Sequence, residues 1–132
     1  AAKGWDFVDT SRLYLVGSSM GGATVATAAV THSDDIRGIV LQYPAINLNP
    51  DAMVSGAPLD VNGYTGPVLI LQGTKDVIVP MEMSKNLAAH YNTLRDDHAE
   101  LIIYEGQPHV FTGKYKVLAA KEIYRFLEEA AS

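Results

Sequence analysis

The apolar run Leu13-Tyr14-Leu15-Val16 ends in the turn Gly17-Ser18-Ser19-Met20-Gly21. The small residues Gly22-Ala23-Thr24-Val25-Ala26 follow without a break. An apolar run stopped by glycine predicts a buried strand, and the small-residue stretch predicts a helix able to lie close against a sheet. A strand passing directly into a helix through so tight a turn restricts the chain to layered α/β architectures. Gly17 and Gly21 are expected to be small so that strand and helix can approach closely. Ser19, at the centre, is expected to take a strained conformation that holds its hydroxyl clear of the sheet. The backbone N–H of Met20, at the helix start, would then point at the space beyond that hydroxyl.

The remaining chain alternates in the same way. Strands are predicted near 12–17, 36–43, 67–72 and 100–104, and helices over 20–31 and from Pro80 through Leu94. A last amphipathic helix carries Val117, Leu118, Ile123, Phe126 and Leu127. Residues 47–66, with Pro50, Gly56, Pro58 and Gly63, are expected to form a loop. Near-continuous apolar strands separated by helices predict a mostly parallel sheet covered on both faces, a three-layer α/β/α arrangement. At 132 residues, 48% of them hydrophobic, the chain supports a single domain, 1–132, with a modest core.

Two more chemically suited residues lie just past the carboxyl ends of predicted strands. Asp76 follows Leu69-Ile70-Leu71-Gln72 through Gly73-Thr74-Lys75, and His109 follows Leu101-Ile102-Ile103-Tyr104 through Glu105-Gly106-Gln107-Pro108. In an open parallel sheet, that edge is where sites form. Taken singly, Ser19 is a small residue in a glycine-rich turn, Asp76 a turn aspartate and His109 a loop histidine. Taken together, serine, acid and histidine occur in the order of a nucleophile, an orienting acid and a general base. His32, His90 and His98 lie in or beside polar or helical stretches and are expected on the surface. Asp34-Asp35 and Asp96-Asp97 are expected to be helix-terminal and turn charges. Met53, Met81 and Met83 are expected to fill core or surface, with a pocket lining as the other reading.

These motifs resemble the α/β-hydrolase family, and within it the dienelactone-hydrolase-like and feruloyl-esterase-like serine hydrolases. The resemblance runs over nearly the whole chain: Asp9-Thr10-Ser11-Arg12 before the first strand, the Gly-Ser-Ser-Met-Gly-Gly elbow, the Gly-Thr-Lys-Asp-x-x-Val-Pro loop and the Gly-Gln-Pro-His loop. Related chains often place histidine before the nucleophile, where this one has Ser18. Dienelactone hydrolases proper use cysteine, and this sequence has none. The resemblance implies the C-terminal half of an α/β-hydrolase fold, from the elbow strand onward, with the N-terminal strands absent.

It also implies a carboxylic-ester hydrolase working through Ser19, Asp76 and His109, with peptidase or thioesterase activity as variants. Met20 would supply one oxyanion N–H; the family's second comes from a loop after its third strand. The alternative is an impaired half-domain serving as an assembly or complementation module. In the family the elbow strand pairs with a further strand, so Leu13-Tyr14-Leu15-Val16 is expected to recruit a second copy or an N-terminal-half partner. Residues 47–66 fall where the family's esterases carry a longer cap.

A net charge of −5 argues against nucleic acid or an anionic membrane as partner. The absence of cysteine excludes disulfides and thiolate metal sites and fits a reducing, cytoplasmic setting. No apolar run reaches membrane-spanning length. Ala1-Ala2-Lys3-Gly4-Trp5 shows no signal-peptide pattern and no initiator methionine, as a fragment would. No grouping of ligand-type side chains has metal spacing, and no metal or cofactor is expected.

Overall fold

The structure, a computed structural model, describes residues 13–47, 57–58 and 61–131. Its elements are β1 (Leu13–Ser18), α1 (Met20–Thr31), β2 (Ile36–Gln42), β3 (Ile46–Asn47), β4 (Ala57–Pro58), β5 (Val68–Gly73), α2 (Met81–Leu94), β6 (Ala99–Tyr104) and α3 (Lys114–Ala131). Four strands form one sheet in the order β1-β2-β5-β6, every neighbouring pair parallel. A parallel sheet that advances one strand at a time through right-handed crossovers places its crossing helices on one face. Accordingly α1 and α2 share a face, and α3, after the last strand, covers the other. This is the three-layer arrangement expected from the strand pattern.

Side-chain alternation sorts the strands between the two layers. Ile39, Leu41, Val68 and Ile70 pack against Ala23, Ala26 and Ala29 of α1 and Leu87, Ala88 and Tyr91 of α2. Val40, Leu69 and Leu71 point the other way, toward Ala119 and Phe126 of α3. All six residues of β5 are buried, as befits a central strand covered on both faces. Arg125 pins α3 across the outer strand, bonding Glu100 of β6 at 2.9 Å as well as Glu122 and Glu129 of its own helix. Among the described residues, β1 forms one edge of the sheet.

Three expectations change. Val117 and Leu118 are exposed, because α3 turns Tyr115, Ala119, Ile123 and Phe126 toward the sheet instead. The expected loop over 47–66 lies partly outside the described residues. Inside them it contributes a two-residue parallel pair, β3 with β4, and the buried residues Val61 and Tyr64. His98, expected at the surface, is 1% exposed. Its Nδ1–H donates to the Tyr91 carbonyl at 2.9 Å, and the rings of Tyr91 and Tyr64 lie 4.9 and 6.3 Å away. His32 is exposed, His90 is half-buried, and Met83 fills a small cluster with Ala45 and Val79. Met53 falls outside the described residues.

Candidate active site

Ser19 sits between β1 and α1 with φ 53° and ψ −119°, a left-handed backbone that a residue with a side chain adopts only when its surroundings impose it. Two backbone bonds impose it here. The Ser19 N–H donates to the Gln42 carbonyl at 3.0 Å, and the Ala45 N–H donates to the Ser19 carbonyl at 2.9 Å. A Cβ on Gly17 would collide with the Gly21 carbonyl and come within 2.7 Å of Val25. At Gly21 itself no described atom lies within 4 Å of such a Cβ. The close approach expected of Gly21 is made instead by Gly22, whose Cβ would meet that of Pro44 at 2.9 Å. Glycine is thus sterically required at 17 and 22, while residue 21 contributes only its carbonyl.

Asp76 lies three residues beyond β5 with its side chain fully buried. Its Oδ1 accepts the Ile78 and Val79 N–H groups at 2.9 and 2.7 Å, which folds the following turn around the carboxylate. Its Oδ2 accepts from Gln72 Nε2 at 3.3 Å and from His109 Nδ1 at 2.8 Å. The turn role and the histidine contact therefore belong to different oxygens of one side chain.

His109 comes from the far strand, β6, yet its Nε2 stands 2.9 Å from Ser19 Oγ at the end of β1. Those strands are three sheet intervals apart, about 14 Å at the usual spacing. The loop after β6 must fold back over the ends of β5 and β2, and three features let it. A Cβ on Gly73 would collide with the Gln107 carbonyl, so the absence of a side chain there opens the crossing. The Lys75 N–H donates to that same carbonyl at 3.0 Å, and the Gly106 N–H donates to Thr74 Oγ1 at 2.7 Å. Gly106 and Gly113, both at positive φ, turn the loop at its two ends.

A carboxylate only accepts hydrogen bonds, so the bond to Asp76 places the His109 proton on Nδ1 and leaves the Nε2 lone pair facing Ser19. Ser19, His109 and Asp76 thus stand in one hydrogen-bonded series from an accessible hydroxyl to a buried carboxylate. Such a series can withdraw a proton from the hydroxyl while it attacks an electrophile. Met20 opens α1, and the first N–H groups of a helix have no partner within it.

Gln72, Thr74 and Gln107 escape the sequence reading. Gln72 is completely buried, holds Asp76 and the Val79 carbonyl through Nε2, and accepts the Ser84 hydroxyl at 2.6 Å. Its signal was a lone amide at the end of an otherwise apolar strand.

A model of the dienelactone hydrolase family matches residues 2–129. The chain belongs to this family. It is 30% identical over 151 residues to the uncharacterized protein YfhR of Salmonella typhimurium, an alignment covering 95% of this chain and 50% of that protein. Est1E from Butyrivibrio proteoclasticus superposes with a TM-score of 0.77 at 23% identity, over 99% of this chain and 66% of Est1E. A monoacylglycerol lipase of Paleococcus ferrophilus gives 0.70 at 19% identity, over 91% and 69%. The fold is that of the α/β-hydrolases, and the chain spans about half the length of the curated relative it matches.

Proposed function

We propose that this dienelactone hydrolase family member is a serine hydrolase of carboxylic esters, with Ser19 as nucleophile, His109 as general base and Asp76 as orienting acid. The observation that carries this reading is the pair of bonds at the two His109 nitrogens, 2.9 Å to Ser19 and 2.8 Å to Asp76. Ser19 Oγ attacks the ester carbonyl carbon as its proton passes to His109 Nε2. The Met20 N–H, at the positive end of α1, donates to the oxyanion. The C–O bond to the alcohol then breaks, and the alkoxide takes the proton from His109. A water molecule, deprotonated by the same imidazole, attacks the acyl-Ser19 carbonyl and releases the acid.

Met20, Val77 and Val110 directly follow Ser19, Asp76 and His109, and each is apolar and more than half exposed. Exposed apolar residues next in sequence to each of the three reacting residues support substrates with an apolar acyl or alcohol part.

Hydrolysis of short p-nitrophenyl esters tests the proposal. Ser19→Ala is expected to lower the rate at least about ten-thousandfold, since removing a nucleophile disables the whole set. A variant that keeps the wild-type rate would refute it.

A further inference from the structure

Among the described residues three non-glycine positions have positive φ, and one of them, Tyr43, belongs to neither the elbow nor an outer turn. Tyr43 follows β2, the strand between those that carry Ser19 and Asp76. Its φ is 39°, which turns the chain sharply as β2 ends. Its N–H donates to the Leu71 carbonyl at 2.6 Å, and the residue is 7% exposed. One side of that ring stacks on Phe111 at 5.1 Å with planes 5° apart; the His109 imidazole lies 4.9 Å away, tilted by 57°. Phe111 in turn packs on Tyr104 at 5.0 Å.

The residues on either side of this turn are the ones that clamp Ser19. Gln42 accepts its N–H, and Ala45 donates to its carbonyl. Pro44 fills the space that only glycine at 22 leaves open. One strained turn therefore holds the nucleophile through backbone and touches the imidazole through a side chain.

Resting on the proposed roles of Ser19, His109 and Asp76, we propose that Tyr43 is a positioning residue that keeps the His109 imidazole on line with Ser19. The two hydrogen bonds act only at the ring nitrogens, and the one to Ser19 disappears once its oxygen is bonded to the acyl group. From then until water attacks, Asp76 alone would hold a ring that turns about two single bonds. Tyr43, braced by Phe111, closes one side of the space into which it could swing.

The test follows the full chain as a fluorophosphonate reacts with it. The Ser19 oxygen bonds to phosphorus, fluoride leaves, and the hydroxyl proton departs through His109. Tyr43→Asn removes the ring while tolerating a left-handed backbone; Tyr43→Phe keeps the ring. Tyr43→Asn is expected to slow labelling about a hundredfold, the scale of a misplaced reacting group. It should also displace the pH midpoint of the labelling rate, whereas Tyr43→Phe retains most of the rate and the wild-type midpoint. A ring that serves structure alone would lower the unfolding temperature and leave rate and midpoint of the folded protein unchanged, which overturns the proposal.

Should Tyr43→Asn fail to fold, Phe111→Leu removes the brace without touching residue 43. It must then show a displaced midpoint, and an unchanged one overturns the proposal. Should wild-type Ser19 not be labelled, the nucleophile assignment fails, and solvent exchange of the His109 Nδ1 proton, held by the bond to Asp76, decides the rest. Exchange as slow in Tyr43→Asn as in wild type, or in Phe111→Leu where the Asn variant does not fold, overturns the positioning role; faster exchange upholds it.

Discussion

The Gln107 carbonyl occupies the space where a side chain on Gly73 would begin. The loop that carries His109 to Ser19 crosses the sheet at that point, held by Lys75 and Thr74 on either side. Because the obstructing atoms are backbone, they cannot move aside as a flexible side-chain tip would. Gly73→Ala is expected to displace the loop, lowering ester turnover about a hundredfold and stability by about 1–3 kcal/mol. Gly21→Ala gives the contrast. Its Cβ, in the first turn of α1, meets no described atom within 4 Å, and a gain of up to about 1 kcal/mol is expected. Urea denaturation of the two variants beside wild type checks both values.

Gln72 ties three segments together: the Asp76 carboxylate, the Val79 carbonyl in the turn beyond it, and Ser84 of α2. Gln72→Leu fits an apolar side chain of similar bulk but leaves those buried groups without that partner. At about 1–3 kcal/mol for each group left unsatisfied, the Val79 carbonyl and the Ser84 hydroxyl set an expected loss of at least about 2 kcal/mol. Asp76 also loses one of the four donors that fix it. A melting temperature equal to wild type would show that these groups find other partners.

The larger design was legible in the residues. Four apolar runs, each closed by glycine, proline or a polar turn, are enough to set a parallel sheet. Ser19, Asp76 and His109 follow three of them at matching edges. What stayed hidden depends on contacts distant in sequence. His98 follows the polar pair Asp96-Asp97, and the rings of Tyr64, from before β5, and Tyr91 of α2 lie against it. In α3, Tyr115, Val117, Leu118 and Ala119 spread around the helix, so their pattern does not choose a face until the sheet does. Tyr43 looks like the last residue of a strand; the role proposed for it depends on a backbone angle and on two rings from the loop after β6.

His98 gives a pH dependence with a definite sign. Burial holds its pKa below the ordinary histidine value; the bond to the Tyr91 carbonyl opposes this and the nearby Arg95 charge adds to it. Below about pH 6.5 the unfolded chain binds a proton at His98 that the folded chain resists. The stability this site contributes is complete above that pH and declines as pH falls toward the folded-state value. In His98→Gln the decline from this residue should vanish. Urea midpoints at pH 5.5 and 7.5 measure it, and equal pH sensitivity in wild type and variant would contradict the assignment.

The central claim is that Ser19 is activated by His109 and Asp76. Intact mass after exposure to a fluorophosphonate tests it most directly, because the reagent reports an activated serine whatever the natural ester is. The account predicts one adduct on wild type and none on Ser19→Ala. An unmodified wild-type chain shown to be folded, or an adduct that persists in Ser19→Ala, would contradict it.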